Sequence, residues 1–273
     1  MKTDESRIAG AWRARYGDSA PPSRMPWNET VALLLSHHSV RAYRPDPLPE
    51  GTLAMLVAAA QSAATSSNMQ TWSMVAVTDP NRKAALAKVA ADQKHIEQCP
   101  LFLVFLADLS RADRIAGRQG EPLDGLPYLE TFLVASIDAA LAAQNAVVAA
   151  ESLGLATVYI GALRNGPETV AAELGLPQGA VGIFGLCVGY AEEAVPAGIR
   201  PRLPQAAILH HERYDLASEA AVISDYDRTF EASRHGGGGA WTARVRNRLG
   251  RLASLAGRET LRESLNRLGF PLR

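Results

Sequence analysis

Residues 136–150 read SIDAALAAQNAVVAA, and no other segment constrains the fold as much. They lie in the longest helical signal of the chain, residues 130–153, which Gly154 ends. Alanine and apolar side chains run nearly all round this helix, so it has no wide polar face to turn to water. Such a helix belongs in the centre of a core or against another subunit. Its small side chains also let a second helix approach closely. A further constraint comes from residues 101–107, LFLVFLA. A continuous apolar run of strand length suits a strand buried on both faces.

The remaining signals alternate. Residues 72–78 and 156–163 read as strands, and residues 181–189 (VGIFGLCVG) as a buried strand whose glycines permit close backbone approach. Helical spacing marks residues 49–64, and helices are expected after Asp79-Pro80 and from Pro167. Asn28 is placed to cap the first main helix. Strand–helix alternation taken alone suggests a parallel α/β sheet. Residues 1–26 are polar and read as an extension with a short helix near residues 8–16, while residues 117–128 read as a loop.

Composition excludes some classes. Lys+Arg and Asp+Glu are both 28, a net charge of +0 that announces no nucleic-acid partner. The N-terminus is too polar for a signal peptide, and no apolar segment is expected to reach membrane-spanning length. Cys99 and Cys187 adjoin apolar runs and read as buried free thiols. These features point to a soluble, reduced, cytoplasmic protein.

Two basic knots stand out. Residues 36–47, SHHSVRAYRPDP, crowd two histidines, two serines and two arginines into a helix end that Pro45 and Pro47 extend into strand. Guanidinium and hydroxyl groups so close together suit a phosphate. A solvated turn is the plain alternative. The second knot, Arg200-Pro201-Arg202, holds two arginines on extended backbone. Between them in sequence, residues 65–70 (TSSNMQ) offer hydroxyls and amides at a helix end, either to a ligand or simply to the turn. Near the C-terminus, residues 236–239 are four glycines, followed by a basic helical stretch. Its charge is broken by Glu259 and Glu263, which favours helices laid on the body or on a partner over a membrane or nucleic-acid helix.

Familiar chemistries are missing. The sequence holds no G-x-x-x-x-G-K-[ST], no G-x-G-x-x-G after a strand, no H-E-x-x-H, no C-x-x-C and no G-x-S-x-G. With no nucleophile or metal constellation, a cofactor that carries the chemistry becomes the natural reading.

In this order, His37-His38-Ser39-Val40-Arg41-Ala42-Tyr43, the 65–70 loop, Gln93-Lys94-His95, the stretches 143–146 and 151–154, residues 158–165, residues 184–189 and residues 200–204 resemble the nitroreductase family. The branch they resemble is the NADPH-dependent, oxygen-insensitive nitroreductases and flavin reductases. The resemblance runs from about residue 31 onward. It implies an α+β fold with a mixed central β-sheet wrapped by helices, and a domain-interlocked homodimer binding FMN. Three segments follow: an N-terminal extension (1–26), an FMN-binding domain (27–235) and a C-terminal helical arm (236–273) packing on the dimer.

Carried over by position, the resemblance gives His37, His38, Ser39, Arg41 and Arg202 to the flavin phosphate. Arg200 goes to the flavin N1/C2 region. Thr65, Ser67, Asn68 and Gln93 go to ring or ribityl atoms, and the backbone of Tyr159, Ile160, Gly161 and Ala162 to the ring edge. Arg234 and Arg258 are the candidates for NAD(P)H. His38 stands where arginine is usual, Ala162 where a second glycine is common, and Arg200 where lysine is usual. Glycines 236–239 replace a segment that often holds arginines for the NADPH 2′-phosphate, so NADH is the alternative donor. The implied reaction is ping-pong two-electron transfer from NAD(P)H through FMN to nitroaromatics, quinones or flavins, with no catalytic side chain and no metal. A flavin reductase serving a partner oxygenase and a flavin-binding protein without NAD(P)H activity are the alternatives.

Overall fold

The computed structural model describes residues 4–217, 219–235 and 238–273. Gly236 and Gly237 of the expected glycine hinge lie outside the described residues. The helices are α1 (Asp4–Tyr16), α2 (Glu29–Ser36), α3 (Thr52–Gln61), α4 (Pro80–Val89), α5 (Lys94–Gln98), α6 (Ser110–Gln119), α7 (Leu129–Ser152), α8 (Pro167–Leu174), α9 (Glu219–Ala232), α10 (Trp241–Leu249) and α11 (Leu261–Arg267). The strands are β1 (Trp72–Val77), β2 (Leu101–Asp108), β3 (Ala156–Ile160) and β4 (Ala180–Gly189). The chain forms two compact units. One comprises Met1–Ser39 with Pro196–Leu255, the other Val40–Val195 with Ala256–Arg273.

The second unit is built on the sheet, ordered β1-β2-β4-β3. Every pairing among these strands is antiparallel, with Trp72 opposite Ala107, Leu101 opposite Val188 and Ala156 opposite Gly189. The α+β class stands, but within the described residues the sheet is not mixed, nor is it the parallel sheet that alternation alone suggests. Central strand β2 is buried along its whole length. Side chains on a strand alternate between faces. Leu101, Leu103 and Phe105 therefore enter the core beneath α3 and α7, while Phe102, Val104 and Leu106 enter the one beneath α4 and α8.

Helix α7 lays Ala142, Ala143, Ala146, Val147 and Ala150 on the sheet. It also contradicts one expectation, because it is long and apolar enough by length and composition to cross a membrane. Its alanines raise the apolar count, and in this unit they serve close packing on β2 and α3. The opposite side exposes Leu133, Ile137 and Leu141 at four-residue intervals. Both cysteines are free and buried.

Local signals account for the ends of several elements. The Asn28 side chain accepts from the Val31 amide at 2.9 Å, and Asp79 accepts from the Arg82 amide at 2.8 Å ahead of Pro80. Residues 256–273 join the second unit's core through Leu265, Leu268 and Phe270, with Phe270 edge-on to Phe132. The 236–273 segment expected as one arm thus divides at residue 255 between the units.

The first unit contains α1, α2, α9 and α10. Trp12 and Arg15 are the buried residues of α1, which covers much of the stretch expected to be an extension.

Candidate functional site

In the first unit the two basic knots are tied to the same side chain. Arg15, only 5% exposed, donates from Nη2 to the carbonyls of Leu35 (2.7 Å) and His37 (2.9 Å). From Nη1 it reaches the Arg200 carbonyl at 3.3 Å. The Arg202 amide donates back to the Arg15 carbonyl at 2.8 Å, and the Tyr226 hydroxyl donates to the Pro201 carbonyl at 2.9 Å. Three successive residues, 200 to 202, are therefore fixed through their backbone. Burial and the Arg202 charge both lower the Arg15 pKa. His38 Nδ1 lies 3.0 Å from the Ser36 carbonyl. Beside Arg200 and Arg202 opens a cleft of about 640 Å³, lined also by Tyr226, Phe230, Trp241 and Arg244. Arg234 lines another, about 740 Å³, with His38 and His235.

In the second unit the 65–70 loop is held in strained backbone. Ser67, Asn68 and Gln70 have φ of 49°, 54° and 52°, a left-handed region costing a non-glycine residue about 1 kcal/mol each. Asp138, buried on α7, holds the near end by accepting from Thr65 Oγ1 (2.6 Å) and the Ser66 amide (3.1 Å). Arg111 holds the far end by donating to the Gln70 carbonyl at 2.8 Å. Arg111 leans on Ser73, and Asp108 accepts from Ser73 and Ser110. Burial pushes the Asp108 carboxyl up, but those two hydroxyls and Arg111 outweigh it and leave its pKa lowered.

The other second-unit candidates lie nearby in sequence or at strand ends. Gln93 precedes α5, and Ala91 and Asp92 before it are again left-handed, at φ 61° and 56°. His95 is half-buried, and its Nε2 is buried without a hydrogen-bond partner. Burial and the Arg41 charge depress its pKa. Tyr159 and Ile160 end β3, and Gly161 and Ala162 begin the turn that follows. A side chain at Gly161 would meet the Arg164 guanidinium at 3.3 Å. Burial and Glu151 raise the Tyr159 phenol above its ordinary range. Arg41 is exposed and Arg258 partly exposed in this unit.

A model of the nitroreductase family matches residues 34–190, and one of the family's C-terminal domain matches residues 200–273. The chain belongs to the nitroreductase family. It is 38% identical over 205 residues to an FMN reductase (NADPH) of Bacillus subtilis, covering 74% of this chain and 82% of that protein. It is 36% identical over 198 residues to an oxygen-insensitive NADPH nitroreductase of Salmonella typhimurium, covering 72% and 79%. Among solved structures, the NADPH:FMN oxidoreductase of Vibrio harveyi, complexed with NAD+, superposes with a TM-score of 0.81. That match has 31% identity and covers 90% of this chain and all of that one.

Membership of the nitroreductase family gives the geometry a frame. The first unit brings His37, His38 and Ser39 onto a backbone tied through Arg15 to Arg200 and Arg202. The second unit gathers Thr65, Ser67 and Asn68 on the Asp138-held loop. Three contributors escaped sequence reasoning. Arg15 lies before the family-matched residues, and its partners are 20, 22 and 185 residues away. Arg111 has no local signature. Asp138 had one, as the single charge within residues 136–150.

Proposed function

We propose that the chain is an FMN-dependent NAD(P)H oxidoreductase that reduces nitroaromatics, quinones or flavins by two-electron transfer. The observation that carries this reading is the cationic knot of the first unit. Arg15 is nearly buried, burial and then the like charge of Arg202 lower its pKa against a smaller opposing effect of Tyr16, and among the described residues no carboxylate pairs with it. An anion such as a flavin 5′-phosphate offsets that repulsion. The second unit adds the buried, unpaired His95 Nε2 and the strained 65–70 loop, features that a bound polar ligand accounts for.

In the first unit, His37, His38, Ser39 and Arg202 hold the phosphate, Arg200 sets a positive charge toward the flavin N1/C2 edge, and Arg234 receives the nucleotide. In the second unit, Arg41 is carried over from the family resemblance as a phosphate candidate. Ser67, Asn68 and Gln93 meet ring or ribityl atoms, the backbone of residues 159–162 meets the ring edge, and Arg258 serves the nucleotide. Thr65 donates to Asp138 and accepts from the Gln70 amide, so its role is to shape the loop and leave a remaining lone pair for a ligand donor. When bound, FMN supplies the hydride acceptor and the two-electron donor. The protein positions it and tunes it electrostatically. A positive Arg200 near N1 favours the reduced, anionic ring.

The functional form is a cytoplasmic homodimer. The exposed Leu133, Ile137 and Leu141 of α7 support this, because a second copy would cover an apolar stripe that is costly in water. A flavin reductase supplying an oxygenase is the second reading, favoured by the Bacillus subtilis relative named FMN reductase (NADPH). Initial rates with NADPH and a quinone should give parallel double-reciprocal lines. Intersecting lines would contradict a donor and acceptor that take turns.

Arg202→Ala weakens FMN binding about 10- to 150-fold, the loss of a charge-assisted bond of roughly 1.5–3 kcal/mol. Fluorescence titration of the apoprotein measures this. Unchanged affinity would remove the phosphate assignment.

A further inference from the structure

Helix α1 precedes the family-matched residues, yet its one buried charge lies among both basic knots. The Arg15 fork holds carbonyls on two segments far apart in sequence. Leu35 and His37 flank the C-terminus of α2, where carbonyls have no partner within the helix. Arg200 opens the second knot. A cation at a helix C-terminus is favourable on its own. Capping does not account for the rest of the arrangement. The same guanidinium also reaches residue 200, and the Arg15 carbonyl receives the amide of Arg202. Both faces of this one residue are thereby spent on the backbone from which the phosphate-directed side chains project. Only a guanidinium has enough donors in a fixed fork to hold three carbonyls.

We propose that Arg15 is the positioning residue of the phosphate cradle, holding the 37–39 and 200–202 backbones together so that their side chains meet one phosphate. This rests on the reading that these residues bind the FMN phosphate. It makes the N-terminal helix part of cofactor binding.

The test compares FMN with riboflavin, which lacks the phosphate, by titrating apoprotein. The ratio of the two affinities isolates the phosphate contribution. In Arg15→Met the ratio should fall about tenfold or more, with riboflavin affinity nearly unchanged. Arg15→Lys keeps the charge and loses the fork, so its ratio should fall several-fold while the fold is retained. Arg202→Ala is the control for the underlying reading. If its ratio falls and both Arg15 variants keep the wild-type ratio, the positioning role is overturned and the phosphate site stands. If FMN and riboflavin weaken together in the Arg15 variants, Arg15 is merely structural and the proposal fails. If Arg202→Ala leaves the ratio unchanged, the phosphate reading falls and the proposal with it.

Discussion

Asp138→Ala lowers stability by about 3–5 kcal/mol and releases the 65–71 segment. Asp138 is 2% exposed, and its carboxylate accepts from Thr65 Oγ1, the Ser66 amide and, at 3.5 Å, Thr71 Oγ1. Truncation leaves these donors facing an apolar helix, and each unmatched buried donor costs about 1–3 kcal/mol. The strain at Ser67, Asn68 and Gln70 then has no anchor on the α7 side, so the loop relaxes. Melting temperature should fall by on the order of 10 °C. Asp138→Asn keeps one acceptor oxygen and should lose less. Thermal and urea unfolding check both variants, and a loss below about 1 kcal/mol in Asp138→Ala would contradict the anchoring role.

Gly185→Ala is the second large effect. A Cβ on this β4 residue would sit 2.2 Å from Phe102 Cζ and 2.6 Å from Cε2, with Leu163 Cδ1 at 3.2 Å. Phe102 and Leu163 are fully buried, so neither has space to give. The ring lies against the strand because position 185 carries no side chain. Overpacking of this kind costs about 3 kcal/mol. Phe102→Leu shortens the obstructing side chain, so Gly185→Ala should be milder in the double variant than alone. A double-mutant cycle on urea unfolding reads this coupling, and simple additivity would show that the two positions do not compete for space.

These two sites show where sequence reasoning reaches and where it stops. The run at residues 101–107 announced a strand buried on both faces, and β2 is one, because an unbroken apolar strand has no side to give to water. The alanine-rich helix was legible for the same reason, and the caps at Asn28 and Asp79 because their bonding partners are three residues away. Strand direction was not legible. Pairing β2 with both β1 and β4 depends on contacts as far apart in sequence as Leu101 and Val188, and local alternation suggested the parallel arrangement instead. Family resemblance supplied the α+β class. In the candidate site, the basic and hydroxyl residues could be singled out as phosphate candidates because their chemistry is local. Arg15, Arg111 and Asp138 act through carbonyls, amides and hydroxyls that only folding brings to them. Asp138 could have been noticed as a lone charge in an apolar helix, since burial of such a group requires partners.

The most direct test of the account is the absorption spectrum of the purified protein, reconstituted with FMN, before and after anaerobic addition of NADPH and, separately, NADH. The account predicts a yellow protein whose flavin absorbance bleaches with one or both nucleotides and returns when a quinone or nitroaromatic is added. A yellow protein that neither nucleotide bleaches would mark a flavin-binding protein without this activity. A protein that takes up no FMN would contradict the account at its root.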